Sequence, residues 1–123
     1  MEPTAVVDTN IVIDLIKGTI NKKKIKSLAR TIYITAPTRY ELLAGAKSEE
    51  TKQKIMAIPC IPLSCGAAEI AGQIQQNLYD KGRPMGGLDV LIAAICIEKD
   101  IPLVTRDKAF GRLEEHGLRT IPV

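Results

Sequence analysis

Tryptophan is absent from this chain, and its other aromatic residues are one phenylalanine and three tyrosines. Its core must therefore be aliphatic, with Ile, Leu, Val and Ala doing nearly all the packing. Long apolar runs are missing too. The longest, VLIAAICI near position 94 and IVIDLI near position 13, fall short of the ~18 to 20 residues a membrane span requires. The first residues show no basic segment leading to an apolar stretch and a small-residue cleavage site. No signal peptide is expected, and the expected setting is the cytoplasm, away from membranes. Cys60, Cys65 and Cys96 are the only cysteines. Odd in number and without Cys-x-x-Cys spacing, they read as reduced, buried thiols without chemistry rather than as a disulfide framework or a zinc site. The single histidine, His116 in LEEHGLR, stands just before a glycine and reads as an exposed residue at a helix C-terminus, favoured by the dipole. Histidine-based nuclease chemistry is disfavoured. With no Gly-x-Gly-x-x-Gly after the first apolar stretch, a nucleotide-binding Rossmann domain lacks support.

What is present suits one globular domain spanning 1–123. A chain of 123 residues, 46% of them hydrophobic, buries roughly two thirds of the surface its unfolded form exposes. The net charge of +3 is a mild bias. Lys22, Lys23, Lys24 and Lys26 form a basic cluster that reads first as a solvated helix face and second as a local attraction for phosphates.

Along the chain, strand-like and helix-like segments alternate. TAVVD reads as a short buried strand and IVIDLIKG as a helix ended by Gly18, a residue suited to the left-handed position past a helix terminus. NKKKIKSLAR reads as a second helix and IYIT as a second strand. Thr35 caps, and Pro37 starts, a helix through RYELLAGA. Ser48 opens the polar helix SEETKQKIMA, and CIPL is a third strand. Ser64 caps a long helix with Ala67, Ile70, Ile74 and Leu78 at helical spacing, which DKGRPMGG breaks. LDVLIAAICIEKD is apolar nearly all round, as a deeply packed helix is, and IPLVT and LRTIPV are the last strands. The pattern predicts an α/β/α sandwich on a mainly parallel sheet of about five strands, because parallel neighbours need crossover connections that helices fill.

In such sheets ligands gather at the carboxyl ends of the strands. Asp8 ends strand one there, and Asp107 follows the strand PLVT in the same way. Glu41 lies one turn beyond Pro37, and Asp89 starts the most apolar helix, so the fold can bring all four acids to one crevice. Four carboxylates so close raise one another's pKa unless cations or protons offset them. Hard oxygen donors suit Mg²⁺ or Mn²⁺, and such a site attacks phosphodiesters. Each acid also has a plain structural reading: Asp8, Asp107 and Asp89 as helix caps, Glu41 as an exposed early-turn residue. Asp14, Asp80 and Asp100 lie on polar faces or helix ends and read as solvated.

In chain order, DTNIVIDLI, YELLAGA, GRPMGGLDVLIAAI and LVTRDKAF resemble the PIN domain. The short length and the GRPMGGLDVLIAAI stretch further resemble the VapC-type toxins of toxin-antitoxin modules, which are metal-dependent ribonucleases. The resemblance spans nearly the whole chain, and the family's acidic residues fall on Asp8, Glu41, Asp89 and Asp107. It implies that Asn10 and Thr105 position the carboxylates or a bound water. It also implies that the cofactor is Mg²⁺ or Mn²⁺, that the substrate is RNA, and that a homodimer and a small antitoxin protein are the partners. The function expected is a Mg²⁺- or Mn²⁺-dependent endoribonuclease acting as a toxin. The alternative is a catalytically silent PIN-like module that binds RNA or acts as a scaffold.

Two features remain. Gly86 and Gly87 allow close backbone approach in GRPMGGLD, where Arg83 reads equally as a phosphate contact and as part of a plain turn. Arg39 reads as a surface arginine. In the helix after Asp8, residues Ile11, Val12, Ile13, Leu15 and Ile16 cover an arc of roughly 200°, about twice a core-facing stripe. The excess predicts an interface, a partner helix laid in a groove, or else closure by the lysine-rich second helix.

Overall fold

Alternation along the first strand, β1 (Glu2–Val7), sets the layering of the molecule. Successive side chains of a strand point to opposite faces. Val6 accordingly joins one apolar cluster, while Ala5 and Val7 join another across the sheet. The computed structural model describes residues 1–123. Around β1 lie β2 (Ala29–Thr35), β3 (Cys60–Ile61), β4 (Leu103–Thr105) and β5 (Thr120–Pro122). All pairings are parallel, in the order β3-β2-β1-β4-β5. The order reverses direction beside β1, which places a crevice between the carboxyl ends of β1 and β4.

One face carries α1 (Thr9–Lys17), α2 (Lys22–Lys26), α3 (Ala36–Gly45) and α4 (Glu49–Met56). Ile11, Val12, Ile25, Leu42 and Ile55 pack there with Val7, Ile34 and Val104. The opposite face carries α5 (Cys65–Asp80), α6 (Gly87–Lys99) and a 3-10 helix, Lys108–His116. There Ala67, Ile74 and Leu78 meet α6, which is buried without a break from Ile92 to Cys96. Each buried Ile, Leu or Val side chain contributes about 1.5–3 kcal/mol by leaving water, and this supports a core whose one phenylalanine, Phe110, is fully buried. The α/β/α sandwich of five strands predicted from the sequence is the fold observed. No helix is long and apolar enough to cross a membrane.

Several element ends differ from the sequence reading. The segment NKKKIKSLAR supplies only a short helix. Asn21 caps it by accepting the Lys23 N–H at 2.9 Å, and from Ala29 the chain pairs with β1, Glu2 against Ala29 and Thr4 against Thr31. Strand pairing, which propensity does not register, takes these residues from the helix. CIPL contributes two strand residues, at an edge of the sheet. Of the three thiols only Cys96 is buried; Cys60 is half-buried and Cys65 exposed, because Cys65 starts α5 on its outer side. His116 is half-buried rather than exposed: its Nε2 is enclosed without a hydrogen-bond partner, and the Glu115 carboxylate is 3.6 Å away.

Candidate active site

The site begins with strand register. Val7 pairs with Val104, and the Asp8 N–H donates to the Val104 carbonyl at 3.0 Å. The residues that follow, Asp8 and Thr105, therefore emerge side by side at the top of the sheet. Asp8 caps α1, its Oδ1 accepting the Thr9 N–H at 2.8 Å. Its other oxygen, Oδ2, accepts the Thr105 hydroxyl at 2.9 Å. That hydroxyl in turn accepts the Asp107 N–H at 3.0 Å, and Asp107 caps the 3-10 helix by accepting the Ala109 N–H at 2.9 Å. Capping and convergence on the rim are thus the same geometry for Asp8 and Asp107, since a residue that ends a strand and begins a helix faces the crevice.

A second chain of hydroxyls reaches Glu41. Thr35 ends β2 and caps α3, so Thr38 and Glu41 share a face of that helix. Thr9 donates to Glu41 Oε1 at 2.9 Å and lies 3.0 Å from the Thr38 hydroxyl. Glu41 is half-buried and oriented by α1, not a free surface acid. Asp89 occupies the first turn of α6, where the capping position, Gly86, supplies no side-chain cap. Asp89 itself makes no capping bond, so its carboxylate stands free above the rim.

The electrostatics tie the four acids together. Burial raises the Asp8 pKa above the usual carboxylate value, the hydrogen bonds from Thr105 and Thr9 oppose the rise, and the charges of Asp107 and Glu41 add to it. Asp89 is raised first by burial, then by Asp8, Glu41 and Asp107. Both shifts are what crowding of like charges in a partly desolvated crevice produces. Asp8 is 5% exposed, Asp89 is half-buried, and Asp107 is exposed. The Cys96 thiol, pushed up to about 12 by burial with the Asp8 charge adding, stays protonated and is no nucleophile.

Of the residues expected at the site, the fold brings Asp8, Glu41, Asp89, Asp107 and Thr105 to one rim. Asn10 is exposed in the first turn of α1 and bonds to none of the four acids. Thr9 and Thr38, which sequence reasoning passed over, orient Glu41. Their signal was there: one hydroxyl directly follows Asp8, and the other lies one helical turn before Glu41. Asp14, expected to be solvated, is half-buried and paired with Arg106. Arg39 is committed to structure, its Nη2 donating to the Ile58 carbonyl at 2.7 Å.

The donor set is all oxygen, anionic and mutually repelling, which fits a hard divalent cation. As the side chains stand, no three acids close around a single point.

Similarity to known proteins agrees with this fold. A Rickettsia bellii protein named Ribonuclease VapC is 29% identical over 130 residues, covering 96% of each chain. The VapBC2 structure of Rickettsia felis, bound to a promoter DNA fragment, superposes with a TM-score of 0.82 at 23% identity over 98% of both chains. VapBC-5 of Mycobacterium tuberculosis, from the VapBC family of toxin-antitoxin systems, superposes at 0.73 with 20% identity, covering 98% of this chain and 99% of that one. The PIN domain pattern matches residues 5–116, and the chain belongs to the PIN-domain family.

Proposed function

We propose that the protein is a Mg²⁺- or Mn²⁺-dependent endoribonuclease, the toxin of a toxin-antitoxin pair, with Asp8, Glu41, Asp89 and Asp107 as its metal-binding and catalytic acids. The observation that carries this reading is the convergence of four carboxylates from four separate elements on one rim, two of them with raised pKa values. These acids would hold a divalent cation, which would supply positive charge to a phosphodiester and acidify a water. The protein's own part is orientation. Thr105 fixes one Asp8 oxygen and the Thr9 amide the other, so the carboxylate does not rotate away from the crevice. Thr9 holds Glu41, and Asp89, free of hydrogen bonds, remains available to the ion. The name of the Rickettsia bellii relative and the VapC-type sequence resemblance support RNA as substrate, in the cytoplasm.

An antitoxin partner and a homodimer belong to the same reading. Ile11 and Val12 are buried, but Ile13, Leu15 and Ile16 are covered only in part. Two hollows flank α1, one of about 470 Å³ toward α2 and one of about 420 Å³ that reaches Glu41. The short α2 closes only part of the apolar arc, and the remainder is the surface for a helical antitoxin segment.

Purified protein stripped with chelator is expected to leave RNA intact, and added Mg²⁺ or Mn²⁺ to restore cleavage. Cleavage that persists in both chelator and the Asp8→Asn variant overturns the metal mechanism. Absence of cleavage under every condition supports the scaffold reading instead.

A further inference from the structure

Arg83 combines a pinned backbone with an uncommitted side chain. It lies in the loop between α5 and α6, just after Gly82, whose φ of 67° turns the chain out of the helix. The Arg83 N–H donates to the Leu78 carbonyl at 2.8 Å, and its own carbonyl accepts from Arg112 Nη1 at 3.0 Å. Two residues on, Gln75 holds Met85 at both backbone groups, at 2.7 and 3.2 Å. Four hydrogen bonds fix this loop, and none uses the Arg83 guanidinium, which is exposed and in no ion pair.

The hollow beside it holds about 300 Å³ and is lined by Leu78, Lys81, Arg83, Gly111, Arg112 and Glu115. Lys81 and Glu115 satisfy each other at 2.7 Å, so the charge left over belongs to the two arginines. Gly111 also lines a second hollow whose wall includes Thr105, Asp107 and Lys108. The two hollows share Gly111 as a lining residue, and of the four acids Asp107 lines the second, so the guanidinium pair stands one hollow away from the Asp107 side of the site. The acids repel a polyanion, and cations beside them are placed to hold one.

Resting on the ribonuclease reading, we propose that Arg83, assisted by Arg112, binds a phosphate of the RNA strand other than the one cleaved. The planar guanidinium matches phosphate oxygens with paired, charge-assisted hydrogen bonds. The fixed backbone spares the entropy of ordering a loop on binding.

The test is Arg83→Gln, which leaves all four backbone anchors in place. With a single-stranded RNA oligonucleotide, KM is expected to rise about tenfold at unchanged kcat, the equivalent of one charge-assisted hydrogen bond. With a dinucleotide, too short to reach the second phosphate, the variant and the parent protein should not differ. In chelator, where RNA binds without being cut, the slope of log affinity against log salt should fall by about 0.7, one phosphate contact on a single strand. Arg83→Lys should retain that slope. An unchanged KM and slope in Arg83→Gln, or a loss confined to kcat, overturns the proposal. Failure of the parent protein to cleave any RNA overturns the ribonuclease reading instead, and the salt slope still reads Arg83.

Discussion

One hydroxyl joins the ends of two neighbouring strands: Thr105 Oγ1 donates to Asp8 Oδ2 at 2.9 Å while accepting the Asp107 N–H at 3.0 Å. Thr105→Val keeps the shape and removes the hydroxyl, leaving a buried carboxylate oxygen and an amide unpaired. The expected loss is about 1–3 kcal/mol of stability, read by urea unfolding. Because the lost bond had lowered the Asp8 pKa, that pKa rises further, and the acidic limb of the pH–rate profile should move to higher pH. Thr105→Ser should restore both. An acidic limb that stays put in Thr105→Val refutes the positioning role.

The raised pKa of Asp8 has a consequence for stability in the absence of metal. Its folded value lies above the ordinary 3.8, so the folded state holds the proton more tightly than the unfolded state. The stability linked to that proton is fully present below 3.8 and is lost as pH rises through the folded value. At neutral pH the charged Asp8 therefore weakens the metal-free fold. Asp8→Asn should raise the Tm of the metal-free protein at pH 7, because it removes the buried charge while Asn still caps α1. The gain should shrink as pH falls. Adding Mg²⁺ should stabilise the parent protein more than the variant. Thermal melts with and without chelator decide it, and a destabilised Asp8→Asn protein at pH 7 contradicts the account.

Activity losses should be graded by burial. Asp8→Asn and Asp89→Asn are expected to lower kcat about 10²- to 10³-fold, the usual effect of removing one preorganised electrostatic group. Asp107→Asn should cost less. Asp107 is exposed in a turn between Arg106 and Lys108, where water screens its charge, and one of its oxygens is already committed to capping. Equal losses in the three variants rule out the grading.

The rim was legible in the sequence because its acids follow apolar strands or begin apolar helices, positions that a parallel sheet collects at one end. Asp8 and Asp107 illustrate this. Asp8 interrupts a buried run, Asp107 follows one, and each is a cap as well as a rim residue. Asp14 was not legible: its partner Arg106 is distant in the chain, and only the pairing of β1 with β4 brings them together. Helix α2 was misjudged in length because local propensity carries no information about the register of Ala29 and Thr31 against β1. The hydroxyl relay from Thr38 through Thr9 to Glu41 escaped for a similar reason, since threonines beside strand ends are common and only packing of α1 on α3 selects these two.

The apolar excess on α1 leads to the last prediction. Ile11 is fully buried, whereas Ile16 is covered in part and lines the hollows on both sides of α1. A charge at Ile11 has no route to water, so Ile11→Asp should unfold the protein. A charge at Ile16 reaches solvent along either hollow. Ile16→Asp should therefore cost about 0.5–3 kcal/mol without unfolding the protein, and RNA cleavage should persist because Ile16, although it lines the hollow that reaches Glu41, makes none of the hydrogen bonds that orient the acids. If the hollows receive an apolar helical segment, the same variant no longer copurifies with an antitoxin and cleaves RNA in its presence. Circular dichroism on heating separates the two substitutions, and copurification reads the groove. A folded Ile16→Asp protein that still binds and obeys its antitoxin excludes the α1 hollows as the docking surface.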